Sequence, residues 1–193
     1  MEIKELLALY ARHPQVRALA RVLKNEKVRT LQVAGLQASA APLALAAAVG
    51  GAEAEATCLF VLDDAEEAGY FYHDLVQLLG EENVHFFPSS FRRAVKFGQR
   101  DAASEILRTE VLTNLGTRHL LVVTYPEALA EKVVSRQELD GQTLQVRVGE
   151  HVDIAFVEET LLAFGFRRTD YVYEPGQFAV RGSLVDVFSF SGE

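Results

Sequence analysis

Phe166-Arg167-Arg168-Thr169-Asp170-Tyr171-Val172-Tyr173-Glu174-Pro175-Gly176-Gln177-Phe178-Ala179-Val180-Arg181-Gly182-Ser183-Leu184-Val185-Asp186-Val187-Phe188 is the stretch on which the reading of this chain turns. Two β-rich runs flank Glu174-Pro175-Gly176-Gln177. Pro175 presets φ at the first central position of a type II turn, and Gly176 supplies the positive φ needed at the second. On the return run Phe178 and Val180 alternate with Ala179 and Arg181, which predicts an apolar side and puts Arg181 on the other. Gly182 interrupts the alternation, as a glycine does at a bulge or a close backbone approach. Arg168 and Arg181 are the candidate cations of an otherwise acidic neighbourhood. From spacing alone a solvated hairpin with incidental arginines is the favoured account of the stretch.

The charge around it narrows the partners. The chain of 193 residues has a net charge of −8, and from Gln137 onward ten acidic residues face four arginines, a balance of −6. Phosphate binding needs clustered Lys and Arg, so a general nucleic-acid surface is disfavoured. A basic or mixed protein surface suits the C-terminal part better. With 49% apolar and 24% charged residues, the chain has the make-up of an ordinary globular protein and enough length for one large core or two small ones. The alanine-rich run at 38–49 is too short to span a bilayer, and Met1-Glu2-Ile3-Lys4-Glu5 lacks a signal peptide's apolar core. The single cysteine, Cys58, can form no internal disulfide, which fits a reducing cytoplasm.

Upstream, residues 1–24 carry apolar positions at three- and four-residue spacing and predict helix, broken at His13-Pro14. A strand is predicted at 28–34, and an alanine-rich helix at 42–49 ended by Gly50-Gly51. The run 58–62 reads as a buried parallel strand, followed by a helix at 65–79 with Asp63 or Asp64 as its cap and Gly80 as its stop. A strand at 84–87, a basic loop at 91–100, a helix at 102–115, a strand at 119–124 and a helix opened by Pro126 complete the alternation. Alternating strands and helices predict an α/β fold with a parallel sheet. From about 137 the pattern changes to a half-exposed strand at 143–148, a helix capped by Asp153 and ended by Gly165, and the opening stretch. Val152 and Val157 are spaced as a hydrophobic staple for that helix. The division is therefore 1–136 and a small α+β domain at 137–193.

The first strand–helix turn sits where a nucleotide loop would. A P-loop needs Gly-x4-Gly-Lys-Ser/Thr, with amides and lysine on phosphate and a hydroxyl on Mg²⁺. Gly35-Leu36-Gln37-Ala38-Ser39-Ala40-Ala41-Pro42 keeps only the first glycine: Ala40 replaces the second, Ala41 the lysine, and Pro42 the hydroxyl residue. The loop has lost its cation, its metal ligand and one backbone donor, so nucleotide is not expected to bind. Asp63 and Asp64 imitate a Walker B ending but have no Mg-nucleotide to hold, and capping explains them. His13, His73, His85, His119 and His151 are scattered without metal-ligand spacing, and no Gly-x-Ser-x-Gly elbow occurs. No catalytic residue and no metal site is predicted. Arg92, Arg93, Lys96 and Arg100 interleave with Phe91 and Phe97, as in single-strand platforms. Asp101 and Glu105 are at hand to pair with them, which favours a packed connecting loop.

The opening stretch resembles the second domain of the excision-repair protein UvrB and, more closely, the matching domain of the transcription-repair coupling factors (the Mfd family). Both carry an aromatic-x-Arg segment, a tetrad reaching a glycine, an aromatic, and x-Arg-Gly before an apolar-apolar-acidic-apolar-Phe run. Phe166, Arg168, Glu174 to Gly176, Phe178, Arg181-Gly182 and Leu184 to Phe188 match them. The likeness extends more weakly over nearly the whole chain. It implies a degenerate RecA-like domain at 1–136, a UvrA-binding domain at 137–193, and a segment 183–193 that can return toward the first domain. It also implies an N-terminal portion of a longer protein in which separate ATP- and Mg-dependent motor domains translocate on double-stranded DNA and displace stalled RNA polymerase.

In that setting the chain is an adaptor that recruits UvrA to damage, with Arg168 and Arg181 as anchors and Phe178 and Gln177 as supporting contacts. Ala179 stands where UvrB has another arginine, so the surface is less basic here. Two other classes stay in view. A nucleotide-dependent helicase or translocase half is opposed by the loop at Gly35. A UvrB-like DNA-binding module is opposed by the short interval 88–101, which leaves no room for a long aromatic hairpin.

Overall fold

The computed structural model describes residues 2–50, 57–91, 101–116, 119–133, 135, 141 and 144–189. They divide into two compact units, one of residues 1–88 with 114–130, the other of 89–113 with 131–193. In linear order this differs from 1–136 and 137–193 in grouping 89–113 and 131–136 with the C-terminal part.

The first unit opens with α1 (Ile3–Arg12) and α2 (Pro14–Leu23), separated at His13, whose extended backbone lets Pro14 start the second helix. The strand expected at 28–34 does not form. Residues 28–37 have no regular structure, and Val28, Leu31 and Val33 are exposed. Alternation favours a strand only where a neighbour completes its ladder, and no strand of the described sheet pairs with this segment. Next comes α3 (Ala40–Val49), two residues longer at its start than expected, with Pro42 in its first turn where no intrahelical N–H is needed. Gly50 ends it at φ 79°.

A three-stranded parallel sheet follows: β1 (Cys58–Val61), β2 (Val84–Phe87) and β3 (Leu121–Thr124), in the order β1-β3-β2. Being central, β3 is buried throughout. Thr124 Oγ1 donates to the Phe87 carbonyl at 2.7 Å, so the one hydroxyl of that strand is satisfied. β1 is an edge strand and departs from the expected burial. Phe60 meets Phe71 of α4 (Ala65–Leu79) at 5.4 Å between ring centres, whereas Leu59 and Val61 are about half exposed. An uninterrupted apolar run marks burial on both sides only for an interior strand. Asp64 caps α4, accepting from the amides of Glu66 and Glu67 at 2.9 Å. The remaining elements are α5 (Ala102–Asn114), which falls in the second unit, and α6 (Pro126–Ala130) in the first.

In the second unit the half-exposed strand expected at 143–148 is absent; residue 143 lies outside the described set. Residues 147–150 instead form a turn closed twice, by Glu150 N–H on the Arg147 carbonyl and by Arg147 N–H on the Glu150 carboxylate, each at 3.0 Å. With its N–H and its carbonyl both engaged within the turn, Arg147 has neither to offer a ladder. After it, α7 (Ile154–Ala163) is capped by Asp153, which accepts from Ala155 N–H at 3.0 Å. The second sheet has the order β4 (Arg167–Arg168), β5 (Gln177–Arg181), β6 (Leu184–Phe188). The segment considered for a return toward the first domain is thus, at 184–188, a strand of this sheet. The basic loop, apart from Phe91, lies outside the described residues. Among the described residues no helix is long and apolar enough to cross a membrane.

Candidate protein-binding surface

The C-terminus of α7 aims the chain at the candidate site. Phe166 N–H bonds the Leu161 carbonyl at 2.9 Å, Gly165 N–H bonds that of Leu162 at 3.0 Å, and Gly165 has φ 82°. This is a Schellman ending: the glycine takes the left-handed conformation and the helix's last carbonyls find donors. The next residues run directly into β4.

The turn at Glu174-Pro175-Gly176-Gln177 forms as expected, with Gln177 N–H on the Glu174 carbonyl at 3.2 Å and Gly176 at φ 79°. What it joins is different. β4 pairs with β5 in parallel, Arg167 opposite Gln177 and Arg168 opposite Phe178, so the turn does not close an antiparallel hairpin. The antiparallel partner of β5 is β6, reached through Gly182-Ser183 with Arg181 opposite Leu184. Gly182, at φ 62°, is therefore the first central residue of a two-residue hairpin loop and not a bulge.

Register assigns the sides. Opposed residues in a sheet share a side and neighbours along a strand alternate. Arg168 thus shares the side of Phe178 and Val180. Arg181 shares the other with Arg167, Gln177, Ala179 and Leu184. The two candidate anchors lie on opposite sides of the sheet. Arg168 pairs with Glu158 of α7, tying helix to strand. Arg181 pairs with Asp186 across the hairpin, and its guanidinium carbon lies 5.9 Å from the centre of the Tyr171 ring. Both ion pairs are largely solvated, so each guanidinium can exchange its carboxylate for one on a partner at little expense.

The two supporting residues are internal. Phe178 is 0% exposed and fills the unit's core. Gln177 is buried: its Oε1 accepts from the amides of Tyr173 at 2.9 Å and Glu174 at 3.2 Å, and its Nε2 donates to Glu174 at 3.3 Å. Gln177 therefore braces the turn from inside. Ala179 is also buried, so an arginine there would have to displace its neighbours.

Sequence reasoning passed over Arg167, exposed and 3.7 Å from Glu174, and over Tyr171 and Tyr173. The Tyr-x-Tyr spacing, which turns both rings to one side of an extended segment, was a usable signal. It also missed a partly buried carboxylate. Glu131 accepts from Ser90 N–H at 3.0 and 3.1 Å, from Ser90 Oγ at 2.7 Å and from Ser89 Oγ, with Arg108 of α5 at 3.6 Å. Burial pushes its pKa up, but the hydrogen bonds from Ser89 and Ser90, with Arg108 beside it, outweigh that and hold it below the ordinary value.

In the segment 35–42, Gly35 has φ 84° and Ala38 φ 47°. The amides a phosphate would use are engaged within the chain: Ala40 N–H on Gln37 at 3.0 Å, Ala41 N–H on Ala38 at 3.4 Å, Leu43 N–H on Ser39 at 3.2 Å. Pro42 has no amide proton and is buried. Among the described residues, no group of three His, Cys, Asp or Glu could hold a metal ion.

Residues 144–193, which include the whole surface just described, match the UvrB interaction domain family. Over most of its length the chain is similar to two kinds of protein. A UvrABC system protein B of Ureaplasma parvum is 26% identical over 130 residues, 65% of this chain and 20% of that protein. A transcription-repair-coupling factor from a bovine strain of Staphylococcus aureus is 25% identical over 144 residues, 74% of this chain and 12% of that protein. The chain therefore spans a fifth or less of the length of these relatives.

Proposed function

We propose that this chain is a non-catalytic adaptor portion of a longer transcription-repair coupling protein, and that its C-terminal part binds UvrA. The observation that carries the reading is the match of residues 144–193 to the UvrB interaction domain, in a chain similar to both UvrB and coupling factors. The stretch that matches is also where the chain presents arginines on the hydrogen-bonded strands β4 and β5. Arg168 and Arg181 are the cationic contacts, reaching the partner from the two sides of the β4–β5 edge. Phe178 and Gln177 act from within, by holding β5 and the turn in place. Arginine suits the task because its planar guanidinium grips a carboxylate through two parallel bonds.

On this reading residues 1–136 are a RecA-like half without a working nucleotide site and residues 137–193 the binding domain. The engaged amides at Ala40 and Ala41 and the cation lost at Ala41 support the first part. Recruitment of UvrA to a stalled RNA polymerase, ATP- and Mg-driven translocation on double-stranded DNA, and a cytoplasmic setting belong to the longer protein and stand on the family resemblance.

The test is a titration of the chain against purified UvrA, with Arg181→Ala and Arg168→Ala measured beside it. Losing a charge pair at an interface costs about 2–5 kcal/mol, against about 0–1 for a solvated pair. Each variant is expected to weaken binding at least tenfold while its unfolding temperature stays within a few degrees. Unchanged binding by the double variant would leave the arginines as surface decoration.

A further inference from the structure

Tyr171 and Tyr173 are 62% and 77% exposed, with ring centres 6.4 Å apart. Single apolar groups scattered on a surface need no explanation, but adjoining aromatic rings on a fixed backbone do. The backbone here is fixed from several directions. Thr169 Oγ1 donates to the Tyr171 carbonyl at 2.8 Å, Thr169 N–H bonds Phe178 at 2.9 Å, and the buried Gln177 amide holds Tyr173 N–H. Little loop entropy remains to be lost when a partner lands on it. The Arg181 guanidinium stacks against the Tyr171 ring, and Leu184, opposite Arg181 in the ladder, is 64% exposed.

We propose that Tyr171 and Tyr173, with Arg181 between Tyr171 and Leu184, form the energetic centre of the partner-binding surface, and that Arg168 lies at its margin. The inference rests on the UvrA-binding reading and is continuous with it, since all these residues fall within 144–193. Tyrosine and arginine are enriched where binding energy concentrates: tyrosine offers a large flat area with only two torsions to freeze and a polar tip, and arginine a planar guanidinium already shaped to hold a carboxylate. Asp170 and Glu174 flank the tyrosines in sequence, and Asp186 pairs with Arg181. The surface of UvrA that fits it has a recess for two rings, a carboxylate for Arg181, and cations at the rim. Arg168 is on the opposite side of the sheet and engaged with α7, so it contributes less.

The experiment is calorimetric titration of UvrA into the wild-type chain, Tyr173→Ser, Tyr171→Ser/Tyr173→Ser, Tyr171→Phe/Tyr173→Phe, Arg181→Ala and Arg168→Ala. The double serine variant is expected to lose at least thirtyfold in affinity and Tyr173→Ser, which leaves the Arg181 stack intact, about tenfold. The double phenylalanine variant, which keeps both rings, should stay within about threefold, and Arg181→Ala should lose more than Arg168→Ala. Thermal unfolding of every variant is followed in parallel. If the wild-type chain binds UvrA and Tyr173→Ser, still folded, binds as well, the inference is overturned while the adaptor reading survives. If the wild-type chain does not bind at all, both fall.

Discussion

Replacing Glu131 by alanine should destabilise the second unit more than replacing either candidate anchor, Arg168 or Arg181. The side chain of Glu131 is 15% exposed and that of Arg108 7%, so the pair is shielded from water. Glu131→Ala removes the acceptor for Ser90 N–H, Ser90 Oγ and Ser89 Oγ, and takes a carboxylate away from a buried guanidinium. Removing one member of a buried pair costs about 3–5 kcal/mol, and the 3.6 Å separation and residual exposure argue for the low end, about 3 kcal/mol. For a chain of this length that is about 6–12 °C in unfolding temperature. Glu131→Gln keeps an acceptor and loses the charge, so it should fall between the alanine variant and wild type.

The pH dependence has a definite sign. A carboxylate whose folded pKa is depressed stabilises the fold fully above its ordinary value of 4.5 and loses that contribution as pH falls through the lower folded value. The acid limb of stability should therefore be shallower in Glu131→Gln. Urea titrations at pH 7 and pH 4, with hydrogen exchange at the Ser90 amide, measure both effects. A loss below about 1 kcal/mol in Glu131→Ala, with Ser90 protection unchanged, would show that the cluster is worth no more than an ion pair open to water.

Three further outcomes are expected. Asp64→Ala removes the acceptor for two amides at the start of α4 and should cost about 1 kcal/mol in urea unfolding, with no effect on UvrA binding. Gly176→Ala forces a side chain into φ 79° and should cost about 1–2 kcal/mol; because it disturbs the brace beneath Tyr173, it should also weaken UvrA binding, which titration of the folded variant would reveal. Titration with ATP and Mg²⁺ should be flat up to millimolar nucleotide, and saturable binding competed by ADP would refute the account of the Gly35 loop.

Much of the chain's local architecture was legible because its causes lie within a few residues of one another. The break at His13-Pro14, the caps at Asp64 and Asp153, the helix end at Gly165 and the turn at Glu174 to Gln177 all follow from one side chain or one φ angle. The candidate surface was legible in part: the motif marked Arg168 and Arg181, and alternation put Arg181 on the side away from Phe178, but nothing local said which side Arg168 would take. Strands are another matter. Residues 28–34 are rich in β-forming side chains and 144–148 alternate, yet neither segment has a ladder partner among the described strands, and a partner is chosen from the whole chain. Only the tertiary structure decided that β4 runs parallel to β5, and that register sends Arg168 to the helix side and Arg181 to the tyrosines. The same holds for Glu131 and Ser90, 41 residues apart. Neither residue carries a local mark of the other, and the carboxylate becomes a structural anchor only where folding removes it from water and surrounds it with donors.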